Sequence, residues 1–424
     1  MEQLIAQLNA PEKQARLAAL SELFKKIKNG EIPPAVPNGG VNNHIHTTYS
    51  FSPYSPSAAV WAAYRAGLVT AGIMDHDSVG GMDEFIKAGE IASMPITCGF
   101  ECRVKCDGLP FASKRINNPD QNGIAYVAVH GIPHSMIFSA NAFLAPYREK
   151  RNIRNRKMVN NINGLMRFFG VSVDFDADVL PISQNADTGS VTERHILFAL
   201  GLKLIEKYGK GQALVDFLTQ DMKIKLSGKQ SAFLLDSESP YYEYDLLGIM
   251  KSELVSKIYV DADEECPDIS EFVKFAKDIG AISAYAYLGD VGNSVTGDKR
   301  AQKFEDEYIS ELFYQLKRLE FNAVTYMPTR NTPEQLKRIR LMCARDGFFE
   351  ISGEDINSPR QSFVCEALKT GNFDHLIDAT WALIGHEKAA TLSLRDSMFS
   401  TATEKKYPDI TERIRIYKEI GMAK

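Results

Sequence analysis

Three short apolar segments, each ending on imidazole or carboxylate and each separated from the next by a helical stretch, constrain this chain most. The first is Val41-Asn42-Asn43-His44-Ile45-His46-Thr47, followed by a helical pattern over Ser57–Ala66. The second runs Val69 to Asp77 and closes on Asp75-His76-Asp77, with Gly80-Gly81 opening a helix over Met82–Ala92. The third, Pro95 to Glu101, ends on a carboxylate. Strand–helix–strand alternation implies parallel βαβ units. In such folds ligands and catalytic groups gather at the C-terminal ends of the strands. Alternation of side chains along a strand puts His44 and His46 on one face, at a spacing that lets two imidazoles grip one metal ion.

The rhythm divides the chain into five parts. Residues 1–36 read as a helical extension that stops at Gly30 and Pro33-Pro34. Residues 37–109 form the first part of an α/β barrel, and residues 110–254 a mainly helical insertion. Within the insertion, strand-like Ala125–Val129 precedes helices Pro146–Phe169 and Thr192–Tyr208. Alternation resumes over 255–365, with strands Ala281–Tyr287, Asn322–Met327 and Phe348–Ser352 after helices Ile269–Ile279, Asp306–Leu319 and Pro333–Arg345. Residues 366–424 are a helical extension expected to pack outside the barrel.

Bulk properties exclude several classes. With 424 residues, 44% hydrophobic, the chain can bury a large core. A net charge of −5 argues against a nucleic-acid polymer or an anionic membrane as partner. No apolar run is long enough to span a bilayer and no signal peptide is visible, so the expected location is the cytoplasm. Cys98, Cys102 and Cys106 sit four apart on the strand face opposite Glu101 and read as buried small hydrophobes.

Mixed imidazole and carboxylate ligands suit divalent Zn, Mn or Fe, and paired ions can clamp the attacking and leaving oxygens of a phosphoryl transfer. His44-Ile45-His46-Thr47, Gly72 to Gly81 and Gly99-Phe100-Glu101 resemble the opening motifs of the PHP (polymerase and histidinol phosphatase) family. The similarity is to its metal-dependent phosphoesterases that carry a helical insertion. Arg148–Gly170, Thr192-Glu193-Arg194-His195-Ile196 and Gly353-Glu354-Asp355-Ile356-Asn357 resemble later segments of that subgroup.

The resemblance implies a distorted (β/α)7 TIM-like PHP barrel with the helical insertion and helical ends. It implies that His44, His46, Glu101 and Asp355 hold one metal, with Asp75, His76 and His195 at neighbouring positions. His130 is a further candidate ligand, and Asp75, His76 and Glu101 are the candidate catalytic residues. Arg151, Arg154, Arg194, Arg330 and Arg360 are candidates for holding a substrate phosphate, which guanidinium geometry suits. The implied activity is hydrolysis of a small phosphorylated metabolite or nucleotide through a metal-bound hydroxide.

Three departures bear on this. Tyr285 stands where the family has a histidine in an Ala-His-Pro segment, Asn357 where the closing motif ends in histidine, and Phe51 at an acidic position. An amide oxygen ligates Zn or Fe far less well than imidazole. Two metal ions are therefore expected, with a third position weakened, and a more apolar entrance. Two rivals stay open: a non-phosphate metal hydrolase on the same barrel, and a degenerate barrel that binds phosphorylated ligands without turnover. Oligomeric state is not legible.

Overall fold

The computed structural model describes residues 1–292 and 302–423. Seven strands form one sheet in chain order: β1 (Val41–Ile45), β2 (Thr70–His76), β3 (Ile96–Lys105), β4 (Ile124–His130), β5 (Ile282–Ala286), β6 (Ala323–Tyr326) and β7 (Phe349–Ser352). β1, β2 and β3 pair in parallel, as do β5, β6 and β7. β4 is antiparallel to both of its neighbours. The sheet closes into a barrel just beyond β7. There the His46 N–H donates to the Ile356 carbonyl at 2.9 Å, and the Ile356 N–H to the His44 carbonyl at 3.1 Å.

This is the expected α/β barrel with helical additions, and β4 is what distorts it. The strand falls inside the segment 110–254 yet completes the sheet between β3 and β5. A parallel β4 would need a crossover from β3 of a dozen or more residues, usually a helix. The chain instead connects the two through an irregular excursion over residues 106–123 and runs back down the barrel wall.

The inside of the barrel is packed with Met74, Ala128, Ile282, Ala284, Ala323, Phe349 and Ile351. Its floor is not left to water. Helix Asp374–Leu392 lies across it and adds Ala379, Ala382 and Leu383 to the same cluster. The C-terminal extension was expected outside the barrel; it plugs one end instead, and Asn43 of β1 donates to Thr380 of that helix at 2.7 Å. Helix Ile410–Met422 backs the plug where Gly385 meets Gly421. A Cβ at Gly385 would lie 1.8 Å from the Tyr417 carbonyl oxygen, so only glycine allows this crossing.

Helices Ile137–Met166, Glu193–Tyr208 and Tyr242–Ile258 enclose a second core of their own, with Leu200, Leu204, Leu246 and Met250 at its centre. Phe51, from the loop after β1, is inserted into that core. The N-terminal helix Lys13–Lys28 is held to the barrel by buried Arg16, whose Nε donates to Glu84 at 2.9 Å. Among the described residues no helix is long and apolar enough to cross a membrane.

Leu383 is wholly buried in the plug. Leu383→Ala is expected to cost about 2–5 kcal/mol, the range for a leucine truncated in a packed core. Denaturant unfolding should show a lower midpoint at an unchanged slope.

Candidate metal centre

Sheet closure builds the centre. By bonding to the backbone at His44 and His46, Ile356 sets its neighbour Asp355 against His46. The register of β1 shifts between Asn42 and Ile45, a bulge of the kind that re-aims side chains beside sites. Gly353 lets the β7 end approach, because a Cβ there would fall 2.6 Å from the His44 Cβ.

Three imidazoles converge on one carboxylate oxygen. The Glu101 Oε1 lies 3.4 Å from His44 Nε2, 3.3 Å from His46 Nε2 and 3.1 Å from His76 Nδ1. His46 Nε2 is also 3.1 Å from Asp355 Oδ1. One ligand atom each from His44, His46 and Glu101 lies within 4.8 Å of the others, and both Nε2 atoms are buried without a well-formed hydrogen bond. Buried polar atoms are normally satisfied. Orphaned nitrogens facing carboxylates are what a divalent cation would satisfy, so these residues fit such an ion.

A second layer fixes the nitrogen that faces the centre. The Ser50 hydroxyl donates to Asp75 Oδ1 at 2.6 Å, so it must accept at the 3.2 Å contact with His46 Nδ1. Neutral His46 therefore carries its proton on Nδ1 and presents the Nε2 lone pair inward. Asp75 is held by the Thr47 N–H at 2.7 Å and the Thr47 hydroxyl at 2.6 Å. Its carboxylate thus anchors the loop that carries His46 and lies outside the group converging on Glu101. Thr47 and Ser50 were not picked out from the sequence, although both follow directly on the His-x-His pair.

Electrostatics match. Burial opposes the charged form of His46, but Asp355 and Glu101 outweigh it and raise its pKa to about 10. Burial likewise opposes ionisation of Glu101 and Asp355, yet the facing histidines hold both below the usual carboxylate range. Burial pushes His76 down to about 3. The centre thus draws one positive charge into itself at His46, and a divalent cation would take over that role and release the proton.

The other expected residues divide. His130 is buried, with its Nε2 unpartnered, but antiparallel β4 carries it down to the level of Gly99, below Glu101. His195 Nδ1 accepts the Thr192 N–H at 3.0 Å, capping helix Glu193–Tyr208, and its ring meets Phe51 at 4.9 Å. Asn357 lines the cavity, with its Nδ2 donating to Asp355 Oδ1 at 2.6 Å. Tyr285 faces away from the barrel interior and donates to buried Glu305 at 3.2 Å.

The arginines also divide. A cavity of about 380 Å³ opens above the centre and is lined by His44, His76, Glu101, Asp355, Arg151, Arg194 and Arg330. Arg154 is turned aside, donating to Glu193 at 2.8 Å and stacked over Tyr259. Arg360 does not line the cavity; Asp245 holds it at 2.6 Å and its guanidinium lies over Phe233. Arg151 is braced between Asp77 and Glu193. Lys251, which sequence reasoning missed, lines the cavity too. Neighbouring Arg194 and burial lower its pKa to about 8. Among the described residues, neither Arg194 nor Lys251 has a hydrogen-bond or ion-pair partner.

No family model matches the sequence, and no curated protein matches it. Solved structures do. One, from Bifidobacterium adolescentis and provisionally named a metal-dependent phosphoesterase, matches with TM-score 0.50 and 19% identity, over 81% of this chain and 97% of its own. Another, an amidohydrolase from Chromobacterium violaceum with bound sulfate and no metal, matches with TM-score 0.50 and 16% identity, over 77% of this chain and 90% of its own. At such identities the likeness is one of fold: a nearly closed, TIM-like seven-stranded barrel with helical additions.

Loss of a group that orients a ligand typically costs 10–100-fold in metal affinity. Ser50→Ala is expected to weaken binding of the divalent ion by about tenfold, and His46→Ala to remove it, as read by calorimetric titration. Arg360→Ala should leave the affinity unchanged.

Proposed function

We propose that this chain is a metal-dependent hydrolase of the PHP type that cleaves the phosphate ester of a small metabolite or nucleotide. The observation that carries this reading is the pairing within one cavity of a carboxylate–imidazole floor and a cationic wall. His44, His46, Glu101 and Asp355 form the floor; Arg194, Lys251 and Arg330 face it. An anion with a divalent ion at one end and cations along its flank is what such a lining accommodates.

The residues divide the work as follows. His44, His46, Glu101 and Asp355 hold a Zn, Mn or Fe ion, and His76 contributes to a second. His76 is a neutral ligand rather than an acid, since burial keeps its pKa at about 3. Asn357 leaves a third position weak, because its amide oxygen is a far poorer ligand for these ions than imidazole. When bound, the ions supply an activated water and polarise a phosphoryl oxygen. Arg194 and Lys251 bind the ester's non-bridging oxygens and hold phosphorus in line. Tyr126, Tyr287 and Tyr326 line the same cavity and give the organic part of a small substrate an aromatic wall.

The sulfate in the C. violaceum neighbour, a tetrahedral anion, agrees with a phosphate-shaped ligand. That neighbour's name also keeps amide or lactone hydrolysis as the second reading. Metal analysis with a panel of phosphate esters, amides and lactones separates them. Phosphate release by the metal-loaded protein is the expected result. Cleavage of amides alone would give the second reading, and a metal-free, inactive protein would refute both.

Lys251 sets a pH limit. It loses its charge above about pH 8, so kcat/KM for a phosphate ester should fall as pH rises past that value. Lys251→Arg should carry the plateau to higher pH, and Arg194→Ala should raise KM at least tenfold with metal content unchanged.

A further inference from the structure

A second group of ligand-type side chains lies away from this cavity, at the plugged end of the barrel. It joins Cys98 of β3, His134 just beyond β4 and Glu387 of helix Asp374–Leu392. His134 Nε2 lies 2.8 Å from Glu387 Oε1, and the other Glu387 oxygen accepts the Cys98 N–H at 2.7 Å. One ligand atom from each lies within 4.8 Å of the others. Tetrahedral zinc with bonds of 2.0–2.3 Å sets its ligands roughly 3.5 Å apart.

The geometry points to a second, structural metal site here, in which Cys98 Sγ, His134 Nε2 and a Glu387 oxygen bind one zinc ion. Thiolate, imidazole and carboxylate are zinc's usual ligands. The fourth position falls to water, since the His134 side chain is 37% exposed. Cys98 and Glu387, by contrast, are almost wholly buried. Binding releases two protons, the thiol proton of Cys98 and the one that His134 Nε2 shares with Glu387, and Zn²⁺ takes their place between thiolate, imidazole and carboxylate.

Such a site has a mechanical reason. Its three ligands come from β3, from the turn after β4 and from the plugging helix, segments separated by 36 and 253 positions. One ion would staple the C-terminal extension to two barrel strands. It differs from the catalytic centre in its chemistry, because only the second site offers sulfur.

The test uses that sulfur. The full-length protein is stripped of metal, titrated with cobalt(II) and followed by absorption. Charge transfer from thiolate to cobalt reports the Cys98 site alone, because no cysteine lies among His44, His46, Glu101 and Asp355. The wild type should develop this band, and Cys98→Ser and His134→Ala should lose it while the imidazole-bound cobalt spectrum remains. Zinc content should drop by one ion per chain in His134→Ala. Zinc at about a hundred times the Kd of this site should raise Tm by roughly 3–5 °C more in the wild type than in that variant, which keeps only the stabilisation from the first centre. A cobalt-saturated wild type without the band would overturn the proposal, as would a band that persists in either variant. If Cys98→Ser fails to fold, partly exposed His134→Ala decides alone.

Discussion

The structure depends on the hydrogen bonds that close a sheet. β1 and the segment after β7 are joined through Ile356, which exchanges backbone bonds with His44 and His46. Without that seam the strands would form an open sheet with two exposed edges. Asp355 would have no reason to meet His46. Closure of the barrel and assembly of the centre are one event, so the ligand geometry inherits the stiffness of the backbone ladder. Sites built on strands are held more tightly than sites on loops.

Charge dictates the remaining arrangement. Glu101 is ionised in a buried place and Asp355 at the edge of the cavity, and the imidazoles gathered round them are the local answer to that negative charge. Elsewhere in the lining of the same cavity the sign reverses. Arg103, Arg151 and Arg154 are neutralised by Asp77, Glu193 and Glu265, but Arg194 and Lys251 are not. The cavity thus runs from carboxylate to ammonium over a short distance, a field that orients an anion before any contact is made.

How much of this was legible follows from what each signal encodes. Strand-end chemistry was, since alternation puts His44, His46 and Glu101 on the inner face whatever surrounds them. The direction of β4 was not, because Ala125–Val129 has the same apolar pattern up or down. The plug was missed for a related reason: the apolar face of helix Asp374–Leu392 announces burial but not the surface it meets. Arg154 and Arg360 read as free cations because the carboxylates that hold them lie 39 and 115 positions away. His195 shows the limit of residue type, since the same imidazole serves a helix cap as readily as a metal. Lys251 carried no signal; only the packing of its helix over the barrel mouth gives it meaning.

The reversed strand has one more consequence. Because β4 descends, the chain must climb the barrel again, and it does so in the 30-residue helix Ile137–Met166, which continues through Pro146 and is about 45 Å long. That helix starts beside the plug, stacks Phe143 on Phe275 along the barrel's flank, and delivers Arg148 and Arg151 to Asp77 at the mouth. The canopy over the cavity is therefore rooted at the opposite pole of the molecule, like a crane whose footing lies behind the building it serves. What steadies that footing steadies the arginines at the mouth of the cavity.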